Sequence, residues 1–213
     1  KEDIELINAQ VDRCHDILQD MGRRGKDDTH LHVAPILSLI QEATEPHQNR
    51  GKSIILSTDT WQGNILDNIQ IENQLSVYRR PEIIHGIRNL VQNAVDFAQS
   101  TVWITIDWRT NQVSLRISDD GFGFPSEILG RLGDPFINKK FFKSSRRSAQ
   151  KYEGMGLGLF IAKTLLERTG ATISFLNNTK NKRESLESPS KEGAVVQVVW
   201  PKNLIQAIDY DAG

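Results

Sequence analysis

Three glycines at alternate positions stand directly before an apolar run in the segment KYEGMGLGLFIAKTLLERTG, residues 151–170. Glycine costs about 1 kcal/mol relative to alanine inside a helix, so their presence at the start of a strong helix needs a reason. The first N–H groups of a helix lack internal partners and carry partial positive charge, and glycines there let an anion approach the backbone. Gly154, Gly156 and Gly158 therefore indicate a phosphate site at a helix start. Gly170 is predicted to cap the C-terminal end of the same helix. One alternative is a flexible loop before a helix. The other is a dinucleotide fold, but the G-x-G-x-G spacing and the preceding polar, basic segment disfavour that fold.

A second glycine motif follows an alternating strand predicted over 113–117. The strand leads into Asp119, after which Gly121 and Gly123 turn the chain away. A carboxylate buried at a strand end needs a hydrogen-bond donor, because burial without one is costly. The exocyclic amine of adenine is such a donor, and the alternative is an ordinary Asp-Gly turn.

The segment PEIIHGIRNLVQNAVDFAQS, residues 81–100, predicts a helix with an apolar face and a separate polar stripe. Asn89 and Asn93 lie one turn apart on that stripe. Neutral amide oxygens suit Mg²⁺ when the ion is shared with phosphates and keeps several waters. The alternative is that the stripe is only the solvated side of an amphipathic helix.

A basic segment over 137–151 contains six cations and no acid, and it includes Lys139 and Lys140. A charge run of this kind is usually a solvated loop. Its position directly before the glycines favours a second interpretation, a lid whose cations reach a polyphosphate.

Helices and strands mix along the chain, with an antiparallel hairpin in the middle. We predict helices over 36–48, 81–98 and 157–169, and strands over 30–33, 53–57, 75–78, 102–108, 113–117, 173–176 and 195–200. This pattern predicts an α+β fold, a two-layer sandwich in which helices cover one face of a mixed sheet. The net charge of -1 gives no case for binding nucleic acid or a membrane surface, and no apolar run is long enough to span a membrane.

The N-terminal part predicts a separate element. Residues 2–22 carry an apolar a/d seam, which indicates a helix that packs against a partner helix. Cys14 occupies a seam position, where it could be a core residue or a thiolate favoured by its basic neighbours. We predict a helix and hinge over 1–29, the main domain over 30–205 and a tail over 206–213.

The motifs follow one order: the asparagine helix, D-x-G-x-G, the basic segment, then the G-x-G-x-G helix. This order resembles the ATP-binding domain shared by histidine kinases, type II topoisomerases, Hsp90 and MutL, the GHKL group with a Bergerat-type fold. RNLVQNAVDFA is similar to the histidine-kinase N box, DDGFGF to the G1 box, GDPF to the F box and GMGLGLFIAKTLLERTGA to the G2 box.

The resemblance implies ATP and Mg²⁺ as ligands. Asn93 would bind the metal with Asn89 assisting at the metal or the phosphates, which makes these two the implied catalytic residues. Asp119 would bind the adenine amine over a glycine floor, and Phe97 would pack on the base. The implied cofactor-binding residues are Asn89, Asn93, Phe97, Asp119, Gly121, Gly123, Lys139, Lys140, Gly154, Gly156, Leu157 and Gly158.

Three positions depart from the pattern that the resemblance implies. Asp96 stands where the N box usually has lysine, so a phosphate-binding cation has to come from elsewhere, either Arg88 or the lid. Met155 stands where the G2 box often has threonine. Gly193-Ala194 stands where Gly-Thr is expected before the last strand.

The segment RRPEIIHGIRNLVQNAVDFA, with VDRCHDIL on the preceding helix, resembles the RegB/PrrB/ActS group of redox-responsive sensor kinases. In that group a cysteine in this helical segment is implicated in redox control, and Cys14 matches it. A phosphoacceptor motif H-E/D-x-x-T/N-P is absent from the sequence, since His15-Asp16 imitates only its first two residues. We therefore expect residues 1–24 to be the second helix of a truncated dimerisation hairpin.

The implied function is that of the catalytic fragment of a bacterial two-component sensor histidine kinase, which transfers the γ-phosphoryl group of ATP to a histidine outside the fragment. The resemblance also implies a homodimer, a cognate response regulator, no membrane contact by this fragment and a cytoplasmic place in an inner-membrane sensor. The alternatives are an anti-sigma-type serine kinase, a scaffold with a decayed nucleotide site, and an ATP-gated module like Hsp90 or MutL. The last class usually has glutamate where Asn89 stands.

Overall fold

A five-stranded mixed sheet and the helices packed on it dominate the computed structural model, which describes residues 33–58, 74–134, 155–178 and 193–207. The strands in this part of the chain are β1 Val33–Pro35, β2 Ser53–Thr58, β3 Ser76–Tyr78, β4 Thr101–Trp108, β5 Gln112–Asp119, β6 Thr172–Asn177 and β7 Ala194–Pro201. The α-helices there are α1 Ile36–Thr44, α2 Pro81–Phe97, α3 Met155–Arg168 and α4 Lys202–Ile205. Short 3-10 helices cover Glu45–His47 and Leu129–Arg131.

The large sheet has the strand order β2-β4-β5-β7-β6. β2 runs parallel to β4, and every other neighbouring pair in this sheet is antiparallel. β1 and β3 form a separate two-stranded antiparallel sheet. The parallel pair requires a crossover, and α2 lies in the chain between β2 and β4 and supplies it.

Alternation along the central hairpin produces one apolar face. Ile104 of β4 pairs with Ile117 of β5, and both side chains are buried. α2 packs against α1, α3 and this hairpin, and the buried residues of these helices share one core with the sheet. The predicted α+β fold with a mixed sheet and covering helices is confirmed.

Several predicted boundaries differ from those in the structure. The helix predicted over 36–48 is α-helical only to Thr44 and continues as a 3-10 turn, because Pro46 has no N–H for the α-helical pattern. The helix predicted from residue 157 begins at Met155, so Gly156 and Gly158 lie within its first turns. α4 and the turn Leu129–Arg131 were not predicted.

The end of α3 is as predicted. Gly170 has φ +87°, a conformation that glycine adopts without strain. Its N–H donates to the Glu167 carbonyl at 3.0 Å, and the N–H of Ala171 donates to the Leu166 carbonyl at 3.2 Å. These two bonds form a Schellman motif, so the helix stops at Arg168.

Some predictions concern residues outside the described parts of the chain. These are the N-terminal helix with Cys14, most of the basic segment with Lys139 and Lys140, Gly154, and the tail beyond residue 207. The domain limits at 29 and 205 stay predictions.

Candidate functional site

Asp119 is a carboxylate at the end of β5 that is only 3% exposed. Its Oδ1 accepts hydrogen bonds from the N–H groups of Gly121 at 2.8 Å and Ala194 at 3.3 Å. Burial raises the pKa of this carboxyl to about 6, and the two backbone hydrogen bonds only partly oppose the rise. No group in the described part of the chain donates to Oδ2. This oxygen can therefore accept a hydrogen bond from a ligand.

The backbone packs tightly around this carboxylate. A Cβ atom on Gly121 would lie 2.5 Å from the Phe97 carbonyl oxygen and 2.7 Å from Asp119 Oδ1. A Cβ atom on Gly193 would collide with the Asp119 backbone carbonyl. Only glycine fits at either position, and Gly121 thus allows the end of α2 to reach the acid. Sequence reasoning assigned no such contact to Gly193.

Asp120 is adjacent to Asp119 in the sequence, but its carboxylate is bound by backbone N–H groups. It accepts hydrogen bonds from the backbone N–H groups of Gln99 at 2.8 Å, Ser100 at 3.0 Å and Thr101 at 3.1 Å. Burial raises the pKa of Asp120, but the hydrogen bonds from Ser100, Thr101 and Gln99 outweigh burial and lower it overall. This carboxylate ties the segment after α2 to the end of the hairpin.

The loop after Asp119 is held from β6. Gly123 has φ +73°, and a Cβ atom there would lie 2.7 Å from Asn177 Oδ1. That oxygen accepts the Phe124 N–H at 2.6 Å, and Asn177 Nδ2 donates to the Phe124 carbonyl at 2.7 Å. Sequence reasoning missed Asn177, because its partner lies 53 residues earlier in the chain.

The two asparagines of α2 are fixed to the helix backbone. Asn89 is 2% exposed, and its Nδ2 donates to the His85 carbonyl at 2.9 Å. Asn93 is half-buried, and its Nδ2 donates to the Asn89 carbonyl at 2.7 Å. Because the Asn93 nitrogen is used in this way, its Oδ1 is the atom left to accept a ligand.

The first turns of α3 lie against Asn93. A Cβ atom on Gly158 would lie 3.0 Å from Asn93 Nδ2, so this glycine permits the close approach of the two helices. Leu157, beside it, is half-buried. Phe97 follows Asn93 by one helical turn, and its carbonyl meets Gly121 beside Asp119. The two residues of α2 that meet the glycine motifs are Asn93, at Gly158, and Phe97, at Gly121. They are about one helical turn apart, a rise of roughly 5.4 Å along the helix axis.

An ion pair not anticipated from the sequence lies on the same helix. Asp96 Oδ1 accepts a hydrogen bond from Arg50 Nη2 at 2.7 Å. Arg50 belongs to the segment between the Glu45–His47 turn and β2. No pattern marks this arginine in the sequence, because it pairs across 46 residues.

Two kinds of feature are absent from the described residues. None of their helices is long and apolar enough to cross a membrane. They contain no group of three or more His, Cys, Asp or Glu side chains that could hold a metal ion.

Residues 79–204 match the family described as histidine kinase-, DNA gyrase B-, and HSP90-like ATPase. The chain belongs to this ATPase family. The sensor histidine kinase RegB of Cereibacter sphaeroides is 50% identical over 201 residues, which cover 94% of this chain and 42% of RegB. The resemblance to the ATP-binding domain of the RegB group is therefore confirmed, and the chain spans less than half the length of this curated relative.

Solved structures show the same ATPase-family fold. The mycobacterial sensor histidine kinase MprB aligns with a TM-score of 0.56 and 15% identity, over 79% of this chain and 95% of that one. Full-length ShkA in complex with AMPPNP aligns with a TM-score of 0.58 and 17% identity, over 92% of this chain and 37% of ShkA. At these identities the similarity concerns the fold alone.

Proposed function

We propose that this chain is the ATP-binding catalytic part of a two-component sensor histidine kinase, which passes the γ-phosphoryl group of ATP to a histidine outside these 213 residues. The observation that carries the proposal is the arrangement along α2. One turn of this helix separates Phe97, whose carbonyl lies beside Gly121 and Asp119, from Asn93, which packs on the start of α3. The 50% identity with a sensor histidine kinase supports the same assignment.

The acidic end of the site suits adenine. The exocyclic amine of the base donates a hydrogen bond, and Asp119 Oδ2 is an acceptor in a buried position. A donor supplied by the ligand offsets part of the burial cost of the charged carboxylate. Phe97 is half-buried at the end of α2, where its ring can contact the base.

The other end suits phosphates and a hard cation. Asn93 Oδ1 is a neutral oxygen donor, the kind of ligand that Mg²⁺ accepts when phosphates and waters complete its shell. Asn93 would hold the ion, with Asn89 buried one turn earlier beneath it. Bound there, Mg²⁺ neutralises phosphate charge during transfer. The start of α3 lies against Asn93 at Gly158, and the first N–H groups of a helix favour anions.

The residues of the site favour transfer over hydrolysis. The amide of Asn89 cannot take a proton, so it cannot serve as the general base that would activate a water. What these residues do is bind and orient: Asp119 fixes the base, and Asn93 fixes the phosphate end. Phosphoryl transfer gains most of its rate from such positioning and from charge neutralisation.

The partners and the regulation belong to the proposal as well. The intact kinase would be a homodimer that serves a cognate response regulator, and this domain would lie in the cytoplasm below an inner-membrane sensor. Cys14 would be the redox-responsive residue. Mild oxidation followed by non-reducing electrophoresis tests that role: a covalent dimer absent in Cys14→Ser supports it, and an unchanged monomer contradicts it.

Calorimetric titration with ADP and Mg²⁺ tests the nucleotide site. We expect wild type to bind and Asp119→Asn to bind about 10- to 100-fold more weakly, because a hydrogen bond to a charged acceptor is lost. Asp107→Asn is the matched control, since Asp107 pairs with Arg109 at the opposite end of β4. Absence of binding by a folded wild-type chain, or equal binding by both variants, would contradict the proposal.

A further inference from the structure

Asp96 lies on α2 between the two ends of the candidate site. It follows Asn93 by three residues, so the two side chains are neighbours on the helix surface. It also directly precedes Phe97, whose carbonyl approaches Gly121. A bare carboxylate at this place would repel the phosphates of a nucleotide.

Arg50 is held against this carboxylate. Its Nη2 lies 2.7 Å from Asp96 Oδ1, and the two side chains are 42% and 36% exposed. Ion pairs with this exposure contribute about 0–1 kcal/mol to stability, so the fold does not depend on the pair. Among the described residues, the Arg50 side chain makes no other hydrogen bond. The remaining N–H donors of the guanidinium are therefore available beside Asp96, one turn of α2 from Asn93.

We propose that Arg50, oriented by Asp96, binds the phosphates of the nucleotide, an inference that rests on the proposed function. A guanidinium presents several donors in a plane and binds phosphate oxygens in pairs. Asp96 accepts a hydrogen bond from Nη2 of that group and thereby restrains its direction. The phosphate-binding cation thus comes from the segment before β2, and Asp96 on α2 positions it.

Lys52 provides a matched control, because it is a second cation two residues along the same segment. Its Nζ donates to the Gln99 carbonyl at 2.5 Å, beyond the end of α2. The inference gives Lys52 no part in phosphate binding.

Calorimetric titrations of the full chain with ADP·Mg²⁺ and with adenosine separate a phosphate contact from general damage. We expect Arg50→Ala to weaken ADP binding about 10- to 100-fold, as for the loss of charged hydrogen bonds, and to leave adenosine binding unchanged. Lys52→Ala should leave both affinities within about twofold, as for a partly exposed side chain whose contact is a backbone carbonyl beyond α2. The double variant Arg50→Ala/Asp96→Lys, which moves the cation onto α2, should recover most of the ADP affinity.

Another double variant tests whether Arg50 only neutralises Asp96. If it does, Arg50→Ala/Asp96→Asn restores wild-type ADP affinity, and the inference is overturned. It is also overturned if Arg50→Ala weakens ADP and adenosine equally, or if ADP binding depends on Asp119 but not on Arg50. A wild-type chain that binds no ADP overturns both this inference and the proposed function.

Discussion

Two consecutive carboxylates, Asp119 and Asp120, show how neighbouring residues of one type acquire opposite properties. Burial dominates at Asp119 and raises its pKa to about 6. At Asp120, hydrogen bonds from three consecutive residues outweigh burial and lower the pKa. The first acid is suited to receive a ligand, and the second is already satisfied by the backbone.

The raised pKa of Asp119 predicts that nucleotide binding depends on pH. Its pKa is about 6 in the folded chain against an ordinary value of 3.8, so the folded chain takes up a proton more readily than the unfolded one. On its own this group therefore lowers stability as pH rises from about 4 to 6, by about 3 kcal/mol in total. A base that donates to the carboxylate needs the charged form, so we expect ADP affinity to fall as pH drops below about 6.

The measurement is the ratio of ADP dissociation constants for Asp119→Asn and wild type from pH 5 to 8. Titration of the ADP phosphates affects both proteins and cancels in this ratio. The ratio should be constant above pH 7 and should decrease towards unity at pH 5. A ratio that does not change with pH would show that the charge of Asp119 has no part in binding.

Asp120→Asn should affect stability and spare binding. The substitution weakens the bonds to the N–H groups of residues 99–101, and because the group is partly exposed we expect a loss of about 1–2 kcal/mol. The pKa of Asp120 is lowered by folding, so its contribution is present above pH 4 and disappears as pH falls further. Thermal unfolding at pH 7 and pH 3 measures this difference, and a loss equal at both pH values would contradict it.

Among single residues, the sequence identifies those whose role follows from a local motif. Asp119 was found because it follows a strand and precedes two glycines. Asp120, Asn177 and Arg50 could not be found in this way. Their partners lie 19 to 53 positions away, and nothing in the local pattern identifies which distant group each one meets.

Among the elements, the contact between α2 and α3 depends on small residues. A Cβ atom on Gly86 would lie 2.5 Å from Leu166 Cγ, and because Leu166 is fully buried its side chain would have to shift within the packed core. Alanine favours a helix by about 1 kcal/mol over glycine, but overpacking typically costs 1–3 kcal/mol. We expect Gly86→Ala to lower the free energy of unfolding by about 1–2 kcal/mol, measured by urea denaturation.

Gly130→Ala is the control for this effect, since nothing lies within 4 Å of a Cβ atom there. It should be neutral or slightly stabilising. In the Gly86→Ala background, Leu166→Ala should lower the free energy of unfolding by less than it does in wild type. The reason is that the methyl group added at residue 86 occupies part of the space that the leucine vacates. Strictly additive costs would show that the two side chains do not meet.

Helices and strands were predicted accurately where apolar residues recur at a regular spacing. The hairpin β4–β5 alternates over its whole length, and its limits were predicted to within two residues. α4 is only four residues long, and the Lys202 N–H at its start donates to the Asn111 carbonyl at 2.9 Å. A contact between distant segments therefore anchors α4, and no local pattern predicts it.

In the whole molecule, the candidate site belongs to no single element. The acid comes from the end of β5, the amide from α2, the anion-favouring N–H groups from α3 and the arginine from the segment before β2. α2 touches each of the others, which is why a crossover helix can gather motifs that are far apart in the sequence. We propose that the same arrangement binds and orients a nucleotide, whereas the Asn89 amide within it cannot act as a base that activates water.

We expect the chain to bind ATP without phosphorylating itself. Incubated with γ-³²P-labelled ATP and Mg²⁺, the chain should bind nucleotide yet retain no stable label, because the sequence contains no phosphoacceptor motif. It should also release little phosphate, because the Asn89 amide cannot activate water. Label that survives base and is lost in acid would indicate a phosphohistidine and contradict the expectation. Steady release of phosphate that Asn89→Ala abolishes would instead favour an ATP-gated module. The informative positive result is transfer to a separately supplied histidine-bearing dimerisation hairpin, lost in Asp119→Asn and retained in Asp107→Asn.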